Sequence, residues 1–134
     1  KVITLRYKIE GEDLNNIRPD KQDNIKNNIK LILSNKLGIS SDLIIIILKQ
    51  GSIIVDIDIV TNDVEANDNI KLIDELDNNT ILETVNQETD KTLTISKNKT
   101  HIKNDLLIKL NNDVYKYIAG IVITLIIFFM IFRN

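Results

Sequence analysis

The chain has no cysteine and no tryptophan, one histidine and one proline. Without cysteine there is no disulfide framework, and the redox compartment is left open. The lone His101 lies in a polar stretch. A single histidine without cysteines or paired carboxylates supplies neither a zinc site nor a catalytic triad. Glycine is also scarce, at 4 of 134 residues, and no glycine-rich phosphate loop is present. A large excess of either charge is missing too. Lys and Arg total 17 against 19 Asp and Glu, a formal net charge of −2, which gives no basic face for nucleic acid. No redox motif, nucleophile–base pair or cofactor motif occurs, so an enzyme acting on an external substrate is not expected.

What is present is alternation. Val2 to Ile9 places Ile3, Leu5, Tyr7 and Ile9 on one face and Thr4, Arg6 and Lys8 on the other, the pattern of a half-buried strand. Leu43 to Lys49 (LIIIILK) and Ile53 to Val60 (IIVDIDIV) are β-branched runs separated by Gln50-Gly51-Ser52, a hairpin signal. In the second run Ile53, Val55, Ile57 and Ile59 face a core while Asp56 and Asp58 face water. Those carboxylates could take a cation with Asp63 or Glu65, but the spacing is not an EF-hand loop, and a solvated strand face is expected.

Between the first strand and the hairpin, Gly11 to Asn16 reads as a polar break. Pro19 then suits the first turn of a helix, Ile25, Ile29, Ile32, Leu33 and Leu37 follow helical spacing, and Gly38 is a natural stop. After the polar stretch 61–69, with Asn62, Asp63 or Asn67 as candidate caps, Ile70, Leu72, Ile73 and Leu76 outline a second helix. Asp77-Asn78-Asn79 breaks it, and Ile81, Leu82 and Val85 suggest another turn. Lys91 to Ser96 (KTLTIS) reads as the last strand, and 97–104 as a polar linker before a short helix over 105–113. Asn78-Asn79-Thr80 and Asn98-Lys99-Thr100 match the N-glycosylation pattern, a chance level in a chain so rich in Asn.

Strand, helix, strand, strand, helix, strand is the order of a ferredoxin-like α+β fold, βαββαβ, with an antiparallel sheet and two helices on one face. With it, the segment LKQGSIIVDIDI resembles the centre of the SEA domain, whose motif is Gly-Ser followed by three Val-like residues. Leu37-Gly38-Ile39 ahead of Gly-Ser-x-x-Val is similar to SEA-like segments of predicted membrane proteins in algae and giant viruses. The resemblance spans roughly 2–96. It implies that in a self-cleaving member the Ser52 hydroxyl would attack the Gly51 carbonyl, with strain in place of an activating base. In the plainer reading, Gly51 supplies a positive φ and Ser52 bonds locally.

Tyr117 to Phe132 (YIAGIVITLIIFFMIF) carries no charge. As a helix it would span roughly 24 Å, against a hydrocarbon core of about 30 Å, and Val114 and Tyr115 extend it if Lys116 snorkels. Tyr117, Ile118, Ile121, Leu125, Phe128, Phe129 and Phe132 are the expected lipid-facing anchor. Lys103, Lys109 and Lys116 precede it and Arg133 follows, which favours a tail-anchored protein with its N-terminal domain on the cytosolic side, whereas a complete SEA-type ectodomain would point the other way and a buried core helix is the plainer reading of the run. Gly120 and Thr124 form a small-xxx-small pair. The expected organisation is a domain over 1–97, a linker and juxtamembrane helix over 98–113, and a transmembrane anchor over 114–134.

Usage rich in Ile, Asn and Lys is that of an AT-rich genome, such as a large DNA virus of protists. Together these features lead to an expected role as a single-pass membrane protein without enzymatic activity, a minor virion protein linking an internal membrane to the capsid. Its partners would be membrane lipid and proteins of a larger assembly, capsid components or further copies of the chain, with no nucleic acid and no cofactor. The alternatives are a self-cleaving surface module split at Gly51/Ser52 and a membrane-tethered adaptor.

Overall fold

The computed structural model describes residues 1–103, together with Ile127 and 129–131. The expected juxtamembrane helix and nearly all of the anchor lie outside the described residues. Residues 1–103 form one compact unit, an α+β domain with an antiparallel sheet and several helices. Its elements are β1 (Val2–Asp13), α1 (Pro19–Leu37), β2 (Ile44–Lys49), β3 (Ser52–Val60), α2 (Ala66–Glu75), α3 (Asn78–Asn86), β4 (Thr94–Lys97) and β5 (His101–Lys103). The sheet order is β2-β3-β1-β4, with β5 also on β1, and every pairing is antiparallel. That order is compatible with a ferredoxin-like arrangement.

The sheet is one-sided because its sequence alternates. Ile3, Leu5, Tyr7 and Ile9 of β1 and Ile53, Val55, Ile57 and Ile59 of β3 are essentially fully buried, and Ile44 and Ile46 of β2 continue the layer. Onto this layer α1 lays Ile25, Ile29, Leu33 and Leu37, one stripe at helical spacing. Ile73 of α2 and Ile81 and Val85 of α3 complete the core. At about 25 cal/mol per Å² of apolar surface removed from water, this layer is the main stabilising term.

The helix ends follow their local chemistry. Pro19 opens α1, and Gly38 closes it at φ +66° with its N–H on Ser34 O at 2.8 Å. The Gln22 side chain donates to Leu14 O and Ile17 O at 3.2 and 2.8 Å, tying the 3-10 turn Leu14–Asn16 to the helix. Asn62 Oδ1 accepts from the Glu65 N–H at 2.8 Å, in the turn that leads into α2.

Four expectations need correction. The first strand does not stop at Ile9. It crosses a bulge, where Gly11 takes φ +115°, and regains pairing at Asp13↔Ser52. Leu14, in the segment read as a polar break, is buried. Asp77 does not merely interrupt a helix: its carboxylate accepts from Asn79 N at 3.0 Å and caps a separate α3, so the described domain carries three α-helices rather than two. Finally, the last strand begins at Thr94, and the sheet continues beyond Lys97. The segment read as a linker holds β5 (His101–Lys103), inside a compact unit over residues 1–103.

Candidate functional site

Gly51 and Ser52 form the tip of the β2–β3 hairpin. Gly51 has φ +107°, and a Cβ there would meet nothing within 4 Å. Glycine is therefore required by backbone conformation alone. Ser52 is half-buried at the start of β3, opposite Asp13. The Asp13 carboxylate accepts from Asn15 N at 3.0 Å, a local cap rather than a base aimed at Ser52. The last described strand ends at Lys103, opposite Val2. The hairpin tip therefore stands at the other end of the strands, beside Asp13.

The opposite face of the sheet, which the core helices do not cover, holds the richest polar constellation. Register sets its rows. Ile45, Asp58, Thr4 and His101 stand side by side, and Ile47, Asp56 and Arg6 form the next row. Thr4 Oγ1 donates to Asp58 Oδ1 at 2.8 Å. Arg6 holds Asp56 through both carboxylate oxygens, Nε to Oδ1 at 2.5 Å and Nη2 to Oδ2 at 3.0 Å. Lys49 Nζ adds a contact to Asp56 Oδ2 at 2.7 Å.

Beyond β1 the edge strand is broken. Between the β4 and β5 pairings the register on β1 moves by one residue, a β-bulge that re-aims side chains. Thr100 is buried, whereas Asn98, Lys99 and His101 are exposed and line the uncovered face. Together with Thr4, Arg6, Ile47, Lys49 and the two aspartates they enclose a shallow cleft of about 320 Å³. On the core side of the same bulge, Thr100 Oγ1 and Lys97 Nζ both donate to Asp74 Oδ1 of α2, at 3.1 and 2.7 Å. Nearby, the fully buried Tyr7 hydroxyl has no hydrogen-bond partner among the described residues. Burial, with a smaller contribution from the Asp74 charge, pushes its pKa up to about 12.

This geometry decides how the aspartates can act. Asp56 is neutralised by two cations and Asp58 is hydrogen-bonded. Asp63 lies 3.8 Å from the backbone nitrogen of Lys1, and Glu65 stands at the head of α2. The two aspartates and the two acids proposed to join them are thus in different places. The Arg6 hydrogen bond, then those of Lys49, hold the Asp56 carboxylate below its usual range against the opposing effect of burial. A carboxylate with a depressed folded-state pKa contributes stability above its unfolded value, about 3.9, and loses that contribution as pH falls through the folded value. Asp56→Asn is therefore expected to destabilise the domain by about 0.5–1 kcal/mol at pH 7, with the difference vanishing in strong acid. Melting temperatures of both proteins across the acid range check this; a constant gap would contradict it.

Of the sequence-singled residues, Gly51 and Ser52 are together at the tip, Asp56 and Asp58 are on the uncovered face, and His101 has joined that face. His101 Nδ1 lies 3.2 Å from Lys99 O. Sequence reasoning missed Arg6, Lys49, Asn98 and Lys99 as neighbours of the aspartates. For Arg6 and Lys49 the signal was the strand parity they share with Asp56. Of the anchor residues, Phe129 is described: it is helical and 65% exposed. The others lie outside the described residues. No helix among the described residues is long and apolar enough to cross a membrane. Compared with models of known protein families and with curated proteins, the chain has no match.

Proposed function

We propose that the chain is a membrane-anchored structural and interaction protein without enzymatic activity. In this reading a ferredoxin-like, SEA-like domain stands on one side of a bilayer, and the apolar segment 114–134 holds it there. The observation that carries the reading is the uncharged run from Tyr117 to Phe132. Its described residues add support. Ile127, Phe129, Met130 and Ile131 are helical and 53–66% exposed, and continued as a helix the uncharged run from Tyr117 to Phe132 would be apolar on every side. A helix apolar on every side requires an apolar surround. Lysines before the run and Arg133 after it favour the domain on the cytosolic or capsid-facing side.

The AT-rich composition supports a large DNA virus as the source, and a minor virion protein linking internal membrane to capsid as the role. Fractionating solubilised particles with and without the capsid shell tests that link. Recovery of the protein with shell components supports it, and recovery exclusively with free lipid removes it.

The Gly51-Ser52 motif favours one second reading, a self-cleaving surface module. Against it, Gly51 meets its positive φ without a Cβ penalty, and the nearest paired acid, Asp13, is engaged elsewhere. Intact mass after denaturation is expected to show a single full-length species for the native protein and for Ser52→Ala alike. Two pieces meeting at Ser52 in the native protein alone would put the self-cleaving module first.

A further inference from the structure

The outer edge of β2 is unusually poorly protected. Among the described residues β2 pairs only with β3, in unbroken register from Ile44↔Ile59 to Lys49↔Ile54. Natural edge strands carry inward charges, prolines or bulges that prevent pairing with another chain. This strand reads Ile-Ile-Ile-Ile-Leu-Lys, with Lys49 as its sole charge, at its very end. Leu43, Ile45 and Ile47 are 39%, 39% and 52% exposed.

We infer that the β2 edge pairs with the β2 edge of a second copy of this chain, antiparallel, about a two-fold axis at Ile46. Side-chain parity restricts the register to axes that pass through a residue, and the exposed isoleucines choose among these. Directly opposed residues share a sheet face, so the two uncovered faces coincide only when the axis passes through a residue. An axis at Ile46 sets Ile45 of each copy against Ile47 of the other, joining four exposed isoleucines into one patch. It also brings Lys49 of each copy to the end of the pairing where the other copy's 3-10 turn Ser41–Leu43 carries Asp42.

Charge complementarity names the occupant. Asp42 and Lys49 flank the apolar run with opposite signs, and the Asp42 carboxylate has no partner among the described residues. Lys49 has further N–H donors beyond the one on Asp56. Antiparallel self-pairing therefore matches opposite charges twice, whereas parallel self-pairing aligns like with like. The contact is smaller than the roughly 1,200 Å² of a stable interface, so in dilute solution the pair is weak. If the anchor proposed above holds, confinement in one membrane raises the effective concentration. The pairing itself does not require the anchor.

The chain has no cysteine, so single thiols can be placed without background. Full-length Ile45→Cys and Ile47→Cys proteins, in mild detergent at high protein concentration, would be oxidised separately and as a mixture. The mixture is expected to yield severalfold more disulfide dimer than either alone, because only residues 45 and 47 face each other. Adding Lys at the exposed position 47 of the Ile45→Cys protein, and at position 45 of the Ile47→Cys protein, should abolish that excess while melting temperatures stay unchanged. Equal yields in all three samples, or a preference for 45–45 or 47–47 links, would overturn the pairing. That includes a dimer held only through the C-terminal segments, which would show no preference for the 45–47 link.

Discussion

Replacing Gly11 by alanine is expected to lower the melting temperature of the domain by about 10–40 °C, the largest effect of any glycine substitution among the described residues. Two independent penalties act at this position. Gly11 lies at φ +115°, a region that costs an L-residue about 1–2 kcal/mol. A Cβ there would also collide with the carbonyl oxygen of Thr92 and press on Leu93 Cδ2 at 3.2 Å. The first of these is main chain, which cannot swing aside as the tip of a side chain can, so overpacking adds about 1–3 kcal/mol. The sum, about 2–5 kcal/mol, converts at about 4–8 °C per kcal/mol for a domain of this size. The bulge cannot simply shift, because Glu12 accepts from Asn16 Nδ2 and Asp13 N, both at 2.9 Å, and from Thr89 Oγ1 at 3.3 Å. Gly51→Ala is the control. It carries a comparable φ but has open space around the missing Cβ, so a smaller fall, about 4–16 °C, is expected. Thermal melts of the two variants compare them directly; equal losses would show that close packing at Gly11 is not what matters.

Replacing both Ile121 and Leu125 by lysine is expected to release the protein from membranes. The two positions lie near the middle of the uncharged run from Tyr117 to Phe132. A lysine at the centre of a spanning helix is unfavourable by about 3 kcal/mol on the insertion scale, and the apolar contribution it replaces is lost as well. The combined change of about 6–7 kcal/mol would reverse the partition of a single marginal-length anchor. Alkaline extraction of membranes from cells expressing each protein reads the effect. The native chain should stay in the pellet and the double variant should move to the supernatant. A double variant that remained pelleted would mean that something other than this segment holds the chain.

The core was legible where polar and apolar residues alternate without interruption. In β1 and β3 a period of two over long stretches fixes which side chains are buried, and Asp56 and Asp58 announce the uncovered face. The α1 helix was legible for a similar reason, with Pro19 and Gly38 marking its ends. The last strand was not. Its second half, His101–Lys103, follows a bulge that shifts parity by one residue, and Asn98-Lys99-Thr100 has no apolar residue to betray the strand. Asp77 misled because a cap and a breaker use the same residue type. The convergence of Arg6, Lys49, Asn98 and Lys99 around the two aspartates comes from register among strands far apart in sequence. No local pattern encodes it. The Gly51-Ser52 tip was legible as a turn, since a β-branched hairpin needs a residue that tolerates positive φ there.

Membrane anchoring is tested most directly by floating the full-length chain with lipid vesicles through a density gradient, with an alkaline carbonate wash. The account predicts that the protein rises with the vesicles and stays with them through the wash, as an inserted helix does and a surface-bound domain does not. Protein left at the bottom of the gradient, or stripped by carbonate, would contradict it.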